Sequence, residues 1–239
     1  MAEKPISGFS FSQNTCGLSN LSWSEDNRLA LATDECIVIL DPLCSPSYSE
    51  KQINLRYYLI PADKEKNIVD VGVNKVNLIQ KCTTEQEIGI FSDLTLNIGQ
   101  MNSQVDVPSF GFVKISWSPL GADVQNQCIL ATLSLDHRLH LCHNRGKGRE
   151  LQKAVDISKL YHEYHKGKNF SALKRGIRGV DKPGVYELML YQLAAVDMCW
   201  SHVFSTTDGD EIRRMLVLFM MTKGGDVVSW RIQVPVVMG

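Results

Sequence analysis

The sequence lacks most of what would mark an enzyme, a secreted protein or a membrane protein. Its 239 residues contain seven cysteines but no C-x-x-C pair, which removes the main support for a zinc ribbon or a thioredoxin-type redox centre. Scattered unpaired thiols suit a reducing compartment. The opening Met-Ala-Glu-Lys-Pro has no apolar core of a signal peptide. The longest unbroken apolar run is 215–221, far short of a membrane span. No charge sign dominates, with a net charge of −1, so bulk charge predicts neither a nucleic-acid nor a membrane partner. There is no G-x-S-x-G elbow, P-loop or dinucleotide fingerprint. No nucleophile has a legible base partner, so the sequence offers no catalytic residue, no metal site and no cofactor. A soluble intracellular chain with a packed core is expected, because 44% of the residues are hydrophobic.

What is present is a phrase written three times. Each copy has a short apolar strand ending in Trp-Ser, at Trp23, Trp117 and Trp200. A polar turn of variable length follows, then a strongly apolar strand (29–32, 129–135, 215–221). A tight turn comes next, at Asp34-Glu35, Asp136-His137 and Gly224-Gly225, then a further strand (37–40, 139–142, 227–230). Counting back six positions from Leu40, Cys142 and Trp230 gives Asp34, Asp136 and Gly224, so the turns share one register. Asp and Gly suit a two-residue hairpin. Apolar β-branched strands cut by such turns indicate antiparallel sheet. Repetition of the unit indicates an all-β fold, a WD-like β-propeller, with the Trp ring packed between blades. The alternative is an ordinary antiparallel sandwich.

The expected organisation is a single propeller domain over 1–239, with blade-like repeats at about 18–60, 112–155 and 193–239. An outer strand is expected at 53–60. Residues 61–110 hold weak strand signals at 68–73, 76–79 and 88–91, read as an insertion or a fourth, degenerate blade. With three legible blades, the propeller reads as incomplete. A short helix is expected near 156–165, capped by Asp156, with Ile157, Leu160, Tyr161 and Tyr164 on the stripe that packs on the rim. A mobile loop is expected at 170–183.

The phrases "LSWSEDNRLALATDECIVILDP" and "FVKISWSPLGADVQNQCILATLSLDHRLHL" resemble the N-terminal propeller of the 90-kilodalton (delta-type) subunit of transcription factor IIIC. The resemblance is strongest at Trp23-Ser24-Glu25-Asp26, Trp117-Ser118-Pro119-Leu120-Gly121 and Leu135-Asp136-His137-Arg138-Leu139. It extends to "DISKLYHEY" and "VVSWRIQVPVV". It implies a nuclear, non-catalytic scaffold with other transcription factor IIIC subunits and the RNA polymerase III initiation machinery as partners. It also implies a link to histone acetyltransferase activity. Gly224 departs from the pattern, standing where the other repeats carry Asp.

Three stretches are candidates for chemistry. His137, His140 and His143 alternate faces along a strand, which scatters ligands instead of converging them. His162–His165 is not the H-E-x-x-H signature. "RGKGRE", 145–150, matches an acetyl-coenzyme A phosphate turn only in part, because Glu150 sits where a small residue belongs. The basic stretch is more informative. Between Asn144 and Arg178 lie ten Lys or Arg and three acids. They include Arg145, Lys147, Arg149, Lys166, Lys168, Lys174, Arg175 and Arg178. This loop, 144–183, is the candidate contact for DNA phosphates or an acidic partner. It equally reads as a solvated loop.

Overall fold

The computed structural model describes residues 13–15, 20–43, 54–64, 111–144, 150–167, 183–208 and 211–234. These form three antiparallel sheets and two helices. Blade 1 is β1 (Leu21–Trp23), β2 (Leu29–Ala32), β3 (Cys36–Leu43) and β4 (Asn54–Pro61), paired in sequence order. Blade 2 is β5 (Phe112–Trp117), β6 (Leu130–Ser134), β7 (Leu139–Asn144) and β8 (Leu151–Asp156), with the same order. Blade 3 contains β9 (Ala195–Trp200), β10 (Phe204–Asp208), β11 (Glu211–Thr222) and β12 (Val227–Val234).

The three repeats share one pairing register through β1-β2-β3, β5-β6-β7 and β9-β11-β12. Trp23, Trp117 and Trp200 pair with Leu29, Leu130 and Leu218. Those leucines pair in turn with Leu40, Cys142 and Trp230. Side chains directly opposite across a sheet share a face, so each blade has a front carrying its Trp and a back. The blades stack front to back. The back of blade 1 meets the front of blade 2 in one core that includes Ala30, Ile37, Ile39, Phe112, Ile115 and Trp117. The back of blade 2 meets the front of blade 3 in a second core, with Leu133, Leu139, Leu141, Met198, Leu218 and Met220. Blade 2, covered on both sides, has every residue of β6 buried. This successive stacking is propeller geometry and not the two facing layers of a sandwich.

Blades 1 and 2 pack directly on one another, so no blade stands between them. The strand signals within 65–110 fall outside the described residues.

The hairpins correct the expected turn. Asp34-Glu35 is a two-residue loop, but the second and third repeats each hold one residue more. Leu135-Asp136-His137 and Lys223-Gly224-Gly225 close with a residue in the left-handed region, His137 at φ 64° and Gly225 at φ 89°. Such a residue supplies the extra twist a three-residue hairpin requires. In all three repeats a hydroxyl residue precedes the loop: Thr33, Ser134 and Thr222. Its backbone N–H donates to the carbonyl of Cys36, Arg138 or Asp226. The glycine that departs from the Asp pattern has a packing reason. A Cβ at Gly224 would lie 3.1–3.2 Å from Gln192, on the second helix.

Blade 3 departs from the plan at its first turn. The stretch after Trp200 is a strand pair and not a simple polar turn. β9 and β10 both pair antiparallel with the long β11, whose N-terminal half forms an arm with β10. Among the described residues β12 has no fourth strand beside it.

Two helices fill the gap between β8 and β9. Helix α1 (Ile157–Gly167) starts as expected, with the Asp156 carboxylate accepting the Lys159 N–H at 2.8 Å. Its buried stripe is narrower than predicted. Ile157 and Tyr161 enter the core, whereas Leu160 and Tyr164 are exposed. Helix α2 (Pro183–Leu193) was not foreseen in the sequence. It adds Tyr186, Met189, Leu190 and Leu193 to the core between blades 2 and 3. The expected mobile loop otherwise lies outside the described residues.

Candidate interaction surface

Two devices repeat through the stack, and together they decide where variable loops can sit. The first is the Trp rung. The Trp117 indole N–H donates to the Ser22 carbonyl at 3.1 Å, and the Trp200 indole N–H donates to the Ser116 carbonyl at 3.1 Å. Ser22 and Ser116 are the residues just before Trp23 and Trp117. Blades 2 and 3 are thus each pinned by their own indole to the first strand of the blade before. Trp23, at the start of the row, is 59% exposed.

The second device is the serine that follows each Trp. The backbone N–H of Ser24, Ser118 and Ser201 donates to the carbonyl of Arg28, Ile129 and Val217, each at 2.8 Å. The serine hydroxyl accepts the N–H of the same residue, at 2.7, 2.8 and 2.8 Å. This two-bond clasp shuts the mouth of the first turn whatever length lies beyond it: 25–27, 119–128 or 202–216. Loops closed this way vary freely without disturbing the sheet, which is how a rigid scaffold carries recognition.

These loops gather at one end of the stack. The Glu25 carboxylate of blade 1 accepts the Leu120 N–H of blade 2 at 2.7 Å. Arg214, on the blade 3 arm, lies beside Gly121. The Asn144 amide reaches Gln125 and Gln127 at 3.2 and 3.4 Å, so the connection 145–149 leaves from this same end. Leu120, Val124 and Phe204 are exposed there.

A sequence signal went unread. Ser24-Glu25-Asp26-Asn27-Arg28 and Ser134-Leu135-Asp136-His137-Arg138 are one motif, Ser-x-Asp-x-Arg, used at opposite ends of neighbouring blades. In both, the serine hydroxyl donates to the Asp carboxylate and lies 3.0–3.1 Å from the Arg carbonyl, and the Arg Nε donates to the same carboxylate. The fourth residue is left-handed in both, Asn27 and His137, each at φ 64°. Each copy also clamps a neighbour. Arg28 Nη2 donates to the Cys128 carbonyl at 3.0 Å, Asp26 accepts the Cys128 N–H at 3.1 Å, and the guanidinium lies 4.7 Å from the Trp117 ring centre. Burial alone would raise the Asp26 pKa, but hydrogen bonds from Arg28, Ser24 and Cys128 hold it below the ordinary carboxylate value. In the second copy, Arg138 reaches Asp63 of blade 1 at 3.6 Å, and His137 Nδ1 meets the Ala195 carbonyl of blade 3 at 2.8 Å.

The histidines serve this packing. His140 lies on the front of blade 2, with Nε2 at 3.7 Å from Asp63 and 3.6 Å from Asp156. Lys153 also binds Asp63, at 2.8 Å. Among the described residues no group of three or more His, Cys, Asp or Glu is placed to hold a metal ion.

Of the other predicted residues, Trp23, Trp117 and Trp200 hold equivalent positions, and Asp136 and Gly224 are the middle residues of their loops. Asp34 lies against Gly111, where a Cβ would sit 2.8 Å from Asp34 Cα. Trp230 packs edge-on to Tyr161, ring centres 6.3 Å apart. Of the basic residues, Lys166 is described, exposed on the last turn of α1. Arg145, Lys147, Arg149, Lys168, Lys174, Arg175 and Arg178 lie outside the described residues, as does most of the "RGKGRE" stretch.

The fold and its two repeated devices define an incomplete β-propeller with Trp117 and Trp200 at its blade seams. Comparison with known proteins gives the family. Residues 23–237 match the Transcription factor IIIC subunit delta β-propeller domain, and the chain belongs to that family. It is also 24% identical over 231 residues to General transcription factor 3C polypeptide 4 of Homo sapiens, and equally to the Mus musculus protein of that name. The match covers 92% of this chain and 28% of each relative.

Proposed function

We propose that this chain is a non-catalytic scaffold in a transcription factor IIIC complex, the counterpart of its 90-kilodalton delta-type subunit. In this reading it works in the nucleus, contacts other subunits of that complex and supports promoter recognition and initiation by RNA polymerase III. Family membership supports the assembly. The observation that carries the scaffold role is the serine clasp, which holds loops of three different lengths at one end of a rigid stack.

The connection 145–149 leaves from that end, so Arg145, Lys147 and Arg149 are the first candidates for contact with an acidic subunit surface or with DNA. Lys166, Lys168, Lys174, Arg175 and Arg178 belong to the 157–183 segment and form a separate candidate. Two other activities remain rivals: histone acetyl transfer, by resemblance, and sequence-independent DNA binding through the basic loop, from its charge.

The test is affinity capture of the tagged chain from nuclear extract, with mass spectrometry of the bound proteins. Transcription factor IIIC subunits are expected, and their recovery should fall several-fold when Arg145, Lys147 and Arg149 are changed to Glu. Capture without any such subunit contradicts the assignment. If the basic residues instead bind DNA, affinity falls steeply with salt, and each phosphate contact removed lowers the log–log slope by about 0.9. Binding of acetyl-coenzyme A would favour the enzymatic rival.

A further inference from the structure

The arm of blade 3 sets a free hydroxyl across from a free cation. Its strand β10 runs Phe204-Ser205-Thr206-Thr207-Asp208, antiparallel to the first half of β11. Ser205 stands directly opposite Arg214, so the two side chains share a face of the sheet. Ser205 is exposed, and among the described residues its hydroxyl has no hydrogen-bond partner. Arg214 is half-buried, and among the described residues its guanidinium has no ion pair or hydrogen bond. On its other side Arg214 faces Val234, which brings no charge. Its Nη2 lies 3.6 Å from where a Cβ of Gly121 would stand, so the guanidinium rests against the first turn of blade 2. A planar fork of this kind binds the oxygens of a phosphate in pairs.

The neighbouring hydroxyls are placed differently. Thr206 Oγ1 donates to the Met215 sulfur at 3.5 Å and stands opposite Arg213, which is already engaged. Thr207 stands opposite Ile212, which is no cation. The chain after Ser205 turns acidic: Asp208 is the third residue on, and Asp210 and Glu211 follow. That spacing suits a kinase whose substrate groove is lined with Lys and Arg. The fold can deliver the segment to such a groove. β12 pairs with β11 only from Arg214 onward, and β9 only from Leu218. Among the described residues, Thr206–Asp208 are therefore held by one partner strand. A two-stranded ribbon is marginally stable by itself, so it opens locally without disturbing the blade core.

We propose that Ser205 is a phosphorylation site for an acidophilic protein kinase and that Arg214 receives the phosphate. ATP supplies the phosphoryl group. The bond from Ser205 Oγ to the γ-phosphorus forms and the bond from that phosphorus to its bridging oxygen breaks. ADP leaves, and the hydroxyl proton passes to the catalytic carboxylate of the kinase. The product carries about −1.5 to −2 charge at neutral pH, with a second pKa of about 6. Across from Arg214 it forms charge-assisted hydrogen bonds, and these fasten the arm to the first turn of blade 2. Phosphorylation thus fixes the arm, and adds negative charge, at the end of the stack where the clasped loops gather.

The test incubates the purified 239-residue chain with casein kinase 2 and ATP. The phosphate is mapped by tandem mass spectrometry and titrated by phosphorus NMR. Stoichiometric phosphate on Ser205 is expected. Asp208→Asn should slow its incorporation by about tenfold or more, the loss of one charged contact to the kinase. In the folded chain the second pKa of the phosphate should lie about half a unit or more below its value in urea, because Arg214 favours the dianion. Arg214→Gln should still accept the phosphate but return the pKa to the urea value. Arg214→Lys, which keeps the charge, should recover part of the depression. Both variants should keep the parent's far-UV circular dichroism. Four results overturn the proposal: no incorporation into the folded chain, phosphate on Thr206 or Thr207 in place of Ser205, a rate unchanged by Asp208→Asn, and the same pKa in the parent and in Arg214→Gln.

Discussion

Replacing Asp26 with alanine is expected to destabilise the fold by about 3–5 kcal/mol, read as a drop in the urea midpoint without a change in slope. The Arg28 side chain is 2% exposed and its Asp26 partner 13%. Removing the carboxylate leaves a guanidinium buried between two blades with its main counter-charge gone. Cys128 loses the acceptor of its backbone N–H in the same step. Two comparisons separate this account from a general loss of a turn. Adding Arg28→Met to Asp26→Ala should recover most of the loss, because an apolar side chain of similar length needs no counter-ion. Asp136→Ala, in the sister motif, should cost less, because Arg138 keeps Asp63. Acid has a related effect. The Asp26 pKa is depressed in the fold, so its contribution is present above the unfolded value near 3.8 and lost as pH falls through the folded value.

The second large effect belongs to the Trp rung. Trp117→Ala should destabilise by about 3–5 kcal/mol, since it empties a buried indole site and strips Arg28 of its aromatic neighbour. Trp117→Phe retains much of the apolar contact but leaves the Ser22 carbonyl without its donor, an expected loss of about 1–3 kcal/mol. Trp23→Ala, at the exposed equivalent position, should cost under about 1 kcal/mol in dilute solution. Chemical denaturation of the three variants side by side checks the ranking. Equal losses at Trp23 and Trp117 would mean that the indoles act within their own blades and not between them.

The strand plan was legible because each repeat announces itself with local signals: Trp-Ser at the end of one strand, an apolar strand, a tight turn, another strand. Those signals are short-range, and the pairings of Trp23, Trp117 and Trp200 followed them. The hairpin lengths were misread because counting from Leu40, Cys142 and Trp230 aligns the following strands but says nothing of the extra residue on the near side of each loop. The left-handed His137 is not a residue type that flags such a loop. Helix α2 was missed because Val185–Ala195 is apolar almost throughout. Its buried residues, Tyr186, Met189, Leu190 and Leu193, form one helical stripe, but the exposed Leu188 and the half-buried Tyr191 put apolar residues on the other side and blur the period, and the hydrophobicity merges with the strand that follows.

The seams were only partly legible. That a Trp would lie between blades followed from its size, but its acceptor is a backbone carbonyl in another repeat, which no pattern of side chains records. The Ser-x-Asp-x-Arg motif could have been found, since it is printed twice. It was hidden because the copies occupy different turns of their blades, so alignment of the repeats places them out of phase. The basic stretch was read from composition alone. Its two halves are separated by β8, and the first follows Asn144, at the end where the clasped loops gather.

The account's central claim is that the chain is a row of blades pinned one to the next by indole hydrogen bonds. Hydrogen exchange of the tryptophan indole protons, followed by NMR on 15N-labelled protein, reads those bonds one at a time. The Trp117 and Trp200 indole protons are expected to exchange at least a hundredfold more slowly than a free indole. Protection of both should vanish together with that of the β6 backbone amides as the fold is weakened by denaturant. Exchange of either proton at the rate of free indole, while the β6 amides stay protected, would contradict the claim.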